Sequence, residues 1–149
     1  MIIETSRFGK LEVDEDRLMT FEDGILGFPD QHRYALVQTG EESVFYWLQS
    51  VDRPDLAFVV CDPRMFVADY QAPVKREEIK SLGIDNAAAA QVFIIANKVE
   101  GMLTGNFQGP LVINVHNRKA RQVVLSDKRY GTRHPLMRVD EPVAMERTA

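Results

Sequence analysis

Three histidines, one cysteine and 22 carboxylates are the groups with which this 149-residue chain could do chemistry. His32, His116 and His134 stand in no ligand spacing such as His-x-x-x-His, so they compose no metal site. The single Cys61 excludes both an internal disulfide and a cysteine-based zinc framework. It closes an apolar run just ahead of Asp62-Pro63, with Arg64 the only cation near it in sequence. A thiolate nucleophile wants an open, electropositive setting, so the expectation is an inert core thiol. Gly24/Gly27 and Gly101/Gly105/Gly109 match neither a P-loop nor a dinucleotide fingerprint, and no Gly-Lys-Ser or Gly-Lys-Thr occurs. Turns are their simpler use. The carboxylates are plentiful, but spacing pairs none of them across a cleft. Nothing here argues for an enzyme or a cofactor, and an enzyme with an undetected site stays as a third reading.

Charge says more about partners than about catalysis. The net charge is −4, yet residues 1–71 carry 14 acids against 6 bases, and residues 72–149 carry 8 against 12. The acids gather at Glu12, Asp14, Glu15 and Asp16, then at Glu22, Asp23 and Asp30. The bases gather at Arg118, Lys119, Arg121, Lys128, Arg129, Arg133 and Arg138. A small β-barrel with that basic third, and with Phe107 and Tyr130 nearby, is the alternative reading: a nucleic-acid binder. Against it stand an isoelectric point near 5.4 and an acidic half that repels a phosphate backbone. An acidic half instead steers a basic protein partner.

The elements that would position such groups are mostly short β runs. Ile2–Thr5, Lys10–Val13, Leu18–Phe21, Tyr34–Gln38, Phe45–Ser50 and Leu56–Cys61 are separated by turn residues, among them Asp52-Arg53-Pro54-Asp55. Val74–Leu82 reads as one short helix, with Pro73 before it and Gly83 past its end. Asp85–Ala90 reads as loop leading into a strand Gln91–Lys98. Met102–Thr104, Leu111–Val115 and Ala120–Ser126 follow as strands, the last two joined by an Asn117-Arg118-Lys119 hairpin turn. About ten short strands and one helix argue an all-β, antiparallel barrel or sandwich rather than βαβ units. The expected single domain spans residues 1–136, with 137–149 a polar tail. The longest apolar runs are five or six residues, far short of the roughly 20 that span a membrane. Met1-Ile2-Ile3-Glu4 lacks the basic flank of a signal peptide, so the chain reads as a soluble protein of a reducing compartment.

Three blocks in order then resemble the flagellar assembly factor FliW family over most of the chain. They are Phe21-Glu22-Asp23-Gly24-Ile25-Leu26-Gly27-Phe28-Pro29, Trp47-Leu48-Gln49-Ser50 running to Leu56-Ala57-Phe58, and Thr104-Gly105-Asn106-Phe107-Gln108-Gly109-Pro110-Leu111-Val112-Ile113-Asn114. The third departs from the family pattern with Phe107 for the usual leucine and Gly109 for the usual alanine. Gly24 and Gly27 suit a tight turn that delivers Phe28 to the barrel core or mouth, and Asn106 and Pro110 bracket a second turn. The resemblance implies a cytoplasmic, non-enzymatic regulator without cofactor or metal. It implies binding to CsrA, a small RNA-binding repressor of flagellin mRNA, and to newly made flagellin, as a partner switch or chaperone. It implies no direct contact with nucleic acid or membrane. The partner-binding candidates are Glu12, Asp14, Glu15, Glu22, Asp23, Phe28, Asn106 and Phe107.

Overall fold

The structure, a computed structural model, describes residues 1–38, 40, 43–127 and 129–139. Its strands are β1 (Ile2–Thr5), β2 (Gly9–Glu12), β3 (Met19–Phe21), β4 (Arg33–Val37), β5 (Phe45–Ser50), β6 (Ala57–Cys61), β7 (Ala90–Val99), β8 (Met102–Gly105), β9 (Leu111–Asn114), β10 (Lys119–Gln122) and β11 (His134–Arg138). The one α-helix, α1, is Arg76–Ser81. Strands β3, β4, β5, β6, β7, β9 and β10 close into a seven-stranded barrel, because β7 pairs with both β6 and β9 and β10 pairs with β3. Every pairing in the ring is antiparallel except β10–β3, where Lys119 faces Thr20 and Ala120 faces Phe21. The all-β barrel expected from the residue pattern is the fold observed.

Strand β7 is long enough to serve two partners on one edge: Ala90–Phe93 pair with β9, and Ala96–Val99 pair with β8. β8 and β11 therefore continue outward from the barrel wall as a short flap. The β1–β2 hairpin is a separate ribbon. Its Ile3, with Leu11 and Val13, packs on Leu18 and Ala35, and Phe8 and Arg7 both sit on the Trp47 ring.

Two cores lie on either side of the same strands. Phe21, Tyr34, Leu48, Val60, Phe93, Ile95, Leu111 and Ile113 fill the barrel. Cys61, Ile94 and Val112, from the opposite faces of β6, β7 and β9, join Tyr70, Leu82, Phe107, Val123 and Leu125 in a second core outside it. This explains why those strands read as unbroken apolar runs: both faces are buried, so the alternation of a half-buried strand is erased.

Where boundaries differ from the sequence expectation, chemistry accounts for it. The helix begins at Arg76, not Val74, because Lys75 is extended and supplies no side-chain cap. It ends as Gly83 signals: Gly83, at φ +71°, donates to Lys80 O and Ile84 donates to Ile79 O, a Schellman closure. Ala87–Ala89, expected as loop, form one 3₁₀ turn capped by Asn86, whose Oδ1 accepts the Ala88 N–H. The strand expected over Ala120–Ser126 stops at Gln122. Val123 and Leu125 still donate to Pro110 O and Gln108 O, but Pro110 has no N–H to return, so the ladder ends. β11 carries the chain past the boundary expected at Leu136, and residues 140–149 of the expected tail lie outside the described residues.

Candidate protein-binding surface

The barrel has two ends, and the acidic residues divide between them. Glu12 lies in β2, Asp14 caps the Glu15–Arg17 3₁₀ turn by accepting the Asp16 N–H, and Glu15 sits in that turn, all ahead of β3. Glu22 and Asp23 follow β3 at its other end. Five residue steps of extended chain carry Arg17 to Glu22, about 16 Å. The five carboxylates are therefore two clusters and not one face. Asp23 also meets Arg121 at 3.7 Å, and Arg121 meets Glu78 at 3.6 Å, loose pairs that leave the patch acidic.

The three family-like blocks converge on the end that holds Glu22 and Asp23. The first makes the turn after β3, the second the turn between β5 and β6, and the third the turn before β9. Gln122 ties the first to the third: its Oε1 accepts the Leu26 N–H at 2.8 Å, and its Nε2 donates to Gly109 O at 3.0 Å. A Cβ on Gly109 would stand 3.1 Å from that Nε2 and 2.9 Å from Asn106 Nδ2, so glycine here makes room for the clamp. Phe28 ties the first block to the second. It packs edge-on against Phe58, with centroids 5.5 Å apart, and the Arg53 guanidinium lies 5.6 Å from its ring centre. Phe28 is half-buried and serves the barrel core more than its mouth.

Asn106 does what its position suggests: Oδ1 accepts the backbone N–H groups of Gln108 and Gly109, making an Asx turn. Phe107 cannot belong to a partner-facing surface as it stands, because its side chain is 0% exposed. It packs on Tyr70, Tyr130 and His134, and Tyr70 Oη donates to its carbonyl at 2.6 Å. It lies in the turn that Asn106 and Pro110 bracket, yet the second core takes it in. Sequence reasoning missed Leu26, 78% exposed at the tip of the glycine turn, and Val124, 70% exposed two residues beyond Gln122. These are the two most exposed large hydrophobics among the described residues. Residue type gave no signal for Leu26, since Ile25, between the same two glycines, is buried in the barrel core at 1% exposure.

The remaining chemistry-bearing groups are internal or dispersed. Among the described residues no three His, Cys, Asp or Glu side chains gather as a metal site. His32 Nδ1 lies 3.0 Å from Phe21 O, and His116 is exposed. Three of the basic third already have partners: Arg121 is loosely paired with acids, Arg129 with Asp127 at 2.7 Å, and Arg118 turns to Arg17 O. Lys128 lies outside the described residues.

Cys61 is buried, and burial, followed by the neighbouring Asp62 charge, pushes its thiol up to about 12. Burial likewise pushes Tyr70 up to about 12, helped by Tyr130 and Asp127, and Tyr34 up to about 12 against the opposing Arg53. The folded chain thus retains protons that the unfolded chain releases above its ordinary Cys and Tyr values. The stability this contributes is complete below about pH 9 and is lost as pH rises toward 12. Urea midpoints are expected to fall steadily from pH 9 upward, less so in Cys61→Ala, and native Cys61 should resist thiol reagents at pH 8. Prompt labelling of the folded chain at pH 8 would contradict the burial.

Comparison with known proteins agrees with this architecture. The family described as FliW protein matches residues 2–136. A flagellar assembly factor FliW of Magnetococcus marinus is 37% identical over 140 residues, covering 92% of this chain and 85% of that protein. One from Treponema denticola is 36% identical over 139 residues, covering 92% and 94%. A crystal structure of the flagellar assembly factor FliW superposes with a TM-score of 0.84 at 33% identity, over 92% of this chain and 97% of that one.

Proposed function

The chain belongs to the FliW family of flagellar assembly factors, and from that membership we propose that it works by binding proteins and not by catalysis. It takes up CsrA in the cytoplasm, so that flagellin mRNA is released from repression, and it holds newly made flagellin, so that the free pool of the factor follows flagellin export. The observation that supports this reading is the convergence of three sequence blocks on one barrel end. There a Gln122 clamp and the Phe28–Phe58 contact hold an exposed leucine and an acidic pair on a rigid frame. Rigid presentation of an apolar anchor beside charge suits protein recognition, since little ordering entropy remains to be lost on binding.

Gel filtration of the protein with CsrA and with flagellin tests the proposal, with a companion assay in which the protein is added to a preformed CsrA–RNA complex. Co-elution with each partner and release of RNA are expected. Tight, salt-sensitive RNA binding by the isolated chain, without a CsrA complex, would reverse it.

Because the acids form two clusters, their contributions separate. Glu22→Lys with Asp23→Lys is expected to slow CsrA association at low salt by about tenfold and to flatten its salt dependence. Glu12→Lys with Glu15→Lys, at the far end, should leave the rate nearly unchanged. Stopped-flow association at two ionic strengths reads both. Equal rates for all three proteins would remove electrostatic steering from the mechanism.

A further inference from the structure

The end of the barrel opposite the family-like turns opens into a cavity of about 860 Å³. Its lining is mixed: Met19, Leu36, Tyr46, Phe93 and Ile113 form an apolar wall, Ser43 and Gln91 add polar groups, and two arginines, Arg17 and Arg118, stand on it. Arg118 is unusual in two ways. Its φ is +64°, a left-handed conformation that a long side chain rarely adopts and that glycine or asparagine would hold at less cost. Its Nε is buried without a hydrogen-bond partner, while Nη2 donates to Arg17 O at 2.9 Å. Among the described residues neither arginine is in an ion pair. A strained backbone that places a guanidinium with an unpaired, buried Nε on a large cavity costs stability twice, and such outliers gather at ligand sites.

We propose that this cavity is a binding site for an aliphatic monocarboxylate of the fatty-acid class, its carboxylate seated on Arg118 and Arg17 and its chain lying along Leu36, Tyr46 and Phe93. The guanidinium fork matches a carboxylate, and the volume is that of a typical small-molecule site. The rim selects for a single charge: Glu12, Asp14 and Asp62 also border the opening, so a phosphate or polyanion is repelled where one paired carboxylate is tolerated. An extended peptide fits less well, because the strands lining the barrel already spend their backbone groups on the closed ring.

Calorimetric titration of the full chain with dodecanoate, below its micellar concentration, tests this, with dodecanol and dodecyltrimethylammonium as controls. Saturable binding of one dodecanoate per chain is expected, at least tenfold tighter than either control. Arg118→Asn should weaken it at least tenfold. The same variant should keep its melting temperature or raise it by about 2–4 °C, since asparagine tolerates the left-handed turn and removes the unsatisfied buried donor. Arg17→Gln, on an exposed side chain, provides a second variant with the same expected weakening. No saturable dodecanoate binding, or binding that dodecanol matches and Arg118→Asn leaves intact, would overturn the assignment. Self-association in sedimentation that Arg118→Asn abolishes, without dodecanoate binding, would give the cavity to a second copy of the chain instead.

Discussion

Gly24→Ala is expected to cost about 3 kcal/mol and to lower the melting temperature by roughly 10 °C. Gly24 has φ +69°, and a Cβ there would press on the Phe28 carbonyl oxygen and stand 2.7 Å from Pro29 Cα. Those neighbours are backbone atoms of the same turn, so no side chain can swing aside. The left-handed conformation accounts for about 1–2 kcal/mol and the displaced turn for the remainder. Gly27→Ala is the control. Its φ is +93°, but nothing lies within 4 Å of the added methyl, so only the conformational cost of about 1–2 kcal/mol applies. Urea unfolding of the two variants side by side reads the difference. Equal losses would mean that the close approach of Gly24 to Phe28 and Pro29 is not what holds the turn. Since this turn carries Leu26 and Phe28, Gly24→Ala should also weaken partner binding more than Gly27→Ala does.

Gln49→Leu is expected to cost about 1–3 kcal/mol. Gln49 is 0% exposed, and its Nε2 stands 3.1 Å from Ser50 O, 3.2 Å from Pro54 O, 3.1 Å from Leu56 O and 3.5 Å from Arg53 O. The turn between β5 and β6 thus wraps its carbonyls around one side-chain amide. Leucine matches the volume and removes a buried Oε1 that has no partner among the described residues, but it also takes away the two N–H donors these carbonyls share. Arg53 O, Pro54 O and Leu56 O keep the Leu56, Ser6 and Ser50 N–H groups, so the loss falls on Ser50 O, at about 1–3 kcal/mol where no water replaces it. Gln49→Glu should be worse at neutral pH, because an ionised carboxylate would face carbonyl oxygens. Protonation gives the group back a donor, so the gap between the Glu and Leu variants should narrow as pH falls. Thermal melts at pH 7 and pH 5 measure it. If Gln49→Leu melts within 2 °C of the parent chain, the amide is not the turn's organiser.

Much of this turn chemistry was legible in the residues. Pro54 between two aspartates, Asn106 ahead of Gly109-Pro110, and paired glycines at 24 and 27 each mark a turn, and each is one. The strands of the barrel wall were equally plain, since β-branched and aromatic runs of four to six residues have few other uses. The candidate site was less legible. Glu12 and Glu22 read alike as acids beside a short strand, and only the direction of β3 sends them to opposite ends. Phe107 stood among the partner-binding candidates, and only the second core, which draws on residues 61, 70, 94, 112 and 123, buries it.

By itself, the amino-acid sequence determined the class of fold, the family and the absence of any recognisable catalytic spacing. These rest on local pattern: which residues alternate, which turn, and which blocks follow one another. Closure was decided only in three dimensions. The parallel β3–β10 contact that seals the barrel joins residues 20 and 119, and the Gln122 clamp joins 26, 109 and 122. The positive φ of Arg118 was equally invisible, because an arginine in a hairpin turn announces neither a left-handed backbone nor a cavity beside it. Contacts between residues some hundred positions apart have no local signature, since many pairings satisfy the same alternation and only the packed barrel chooses among them.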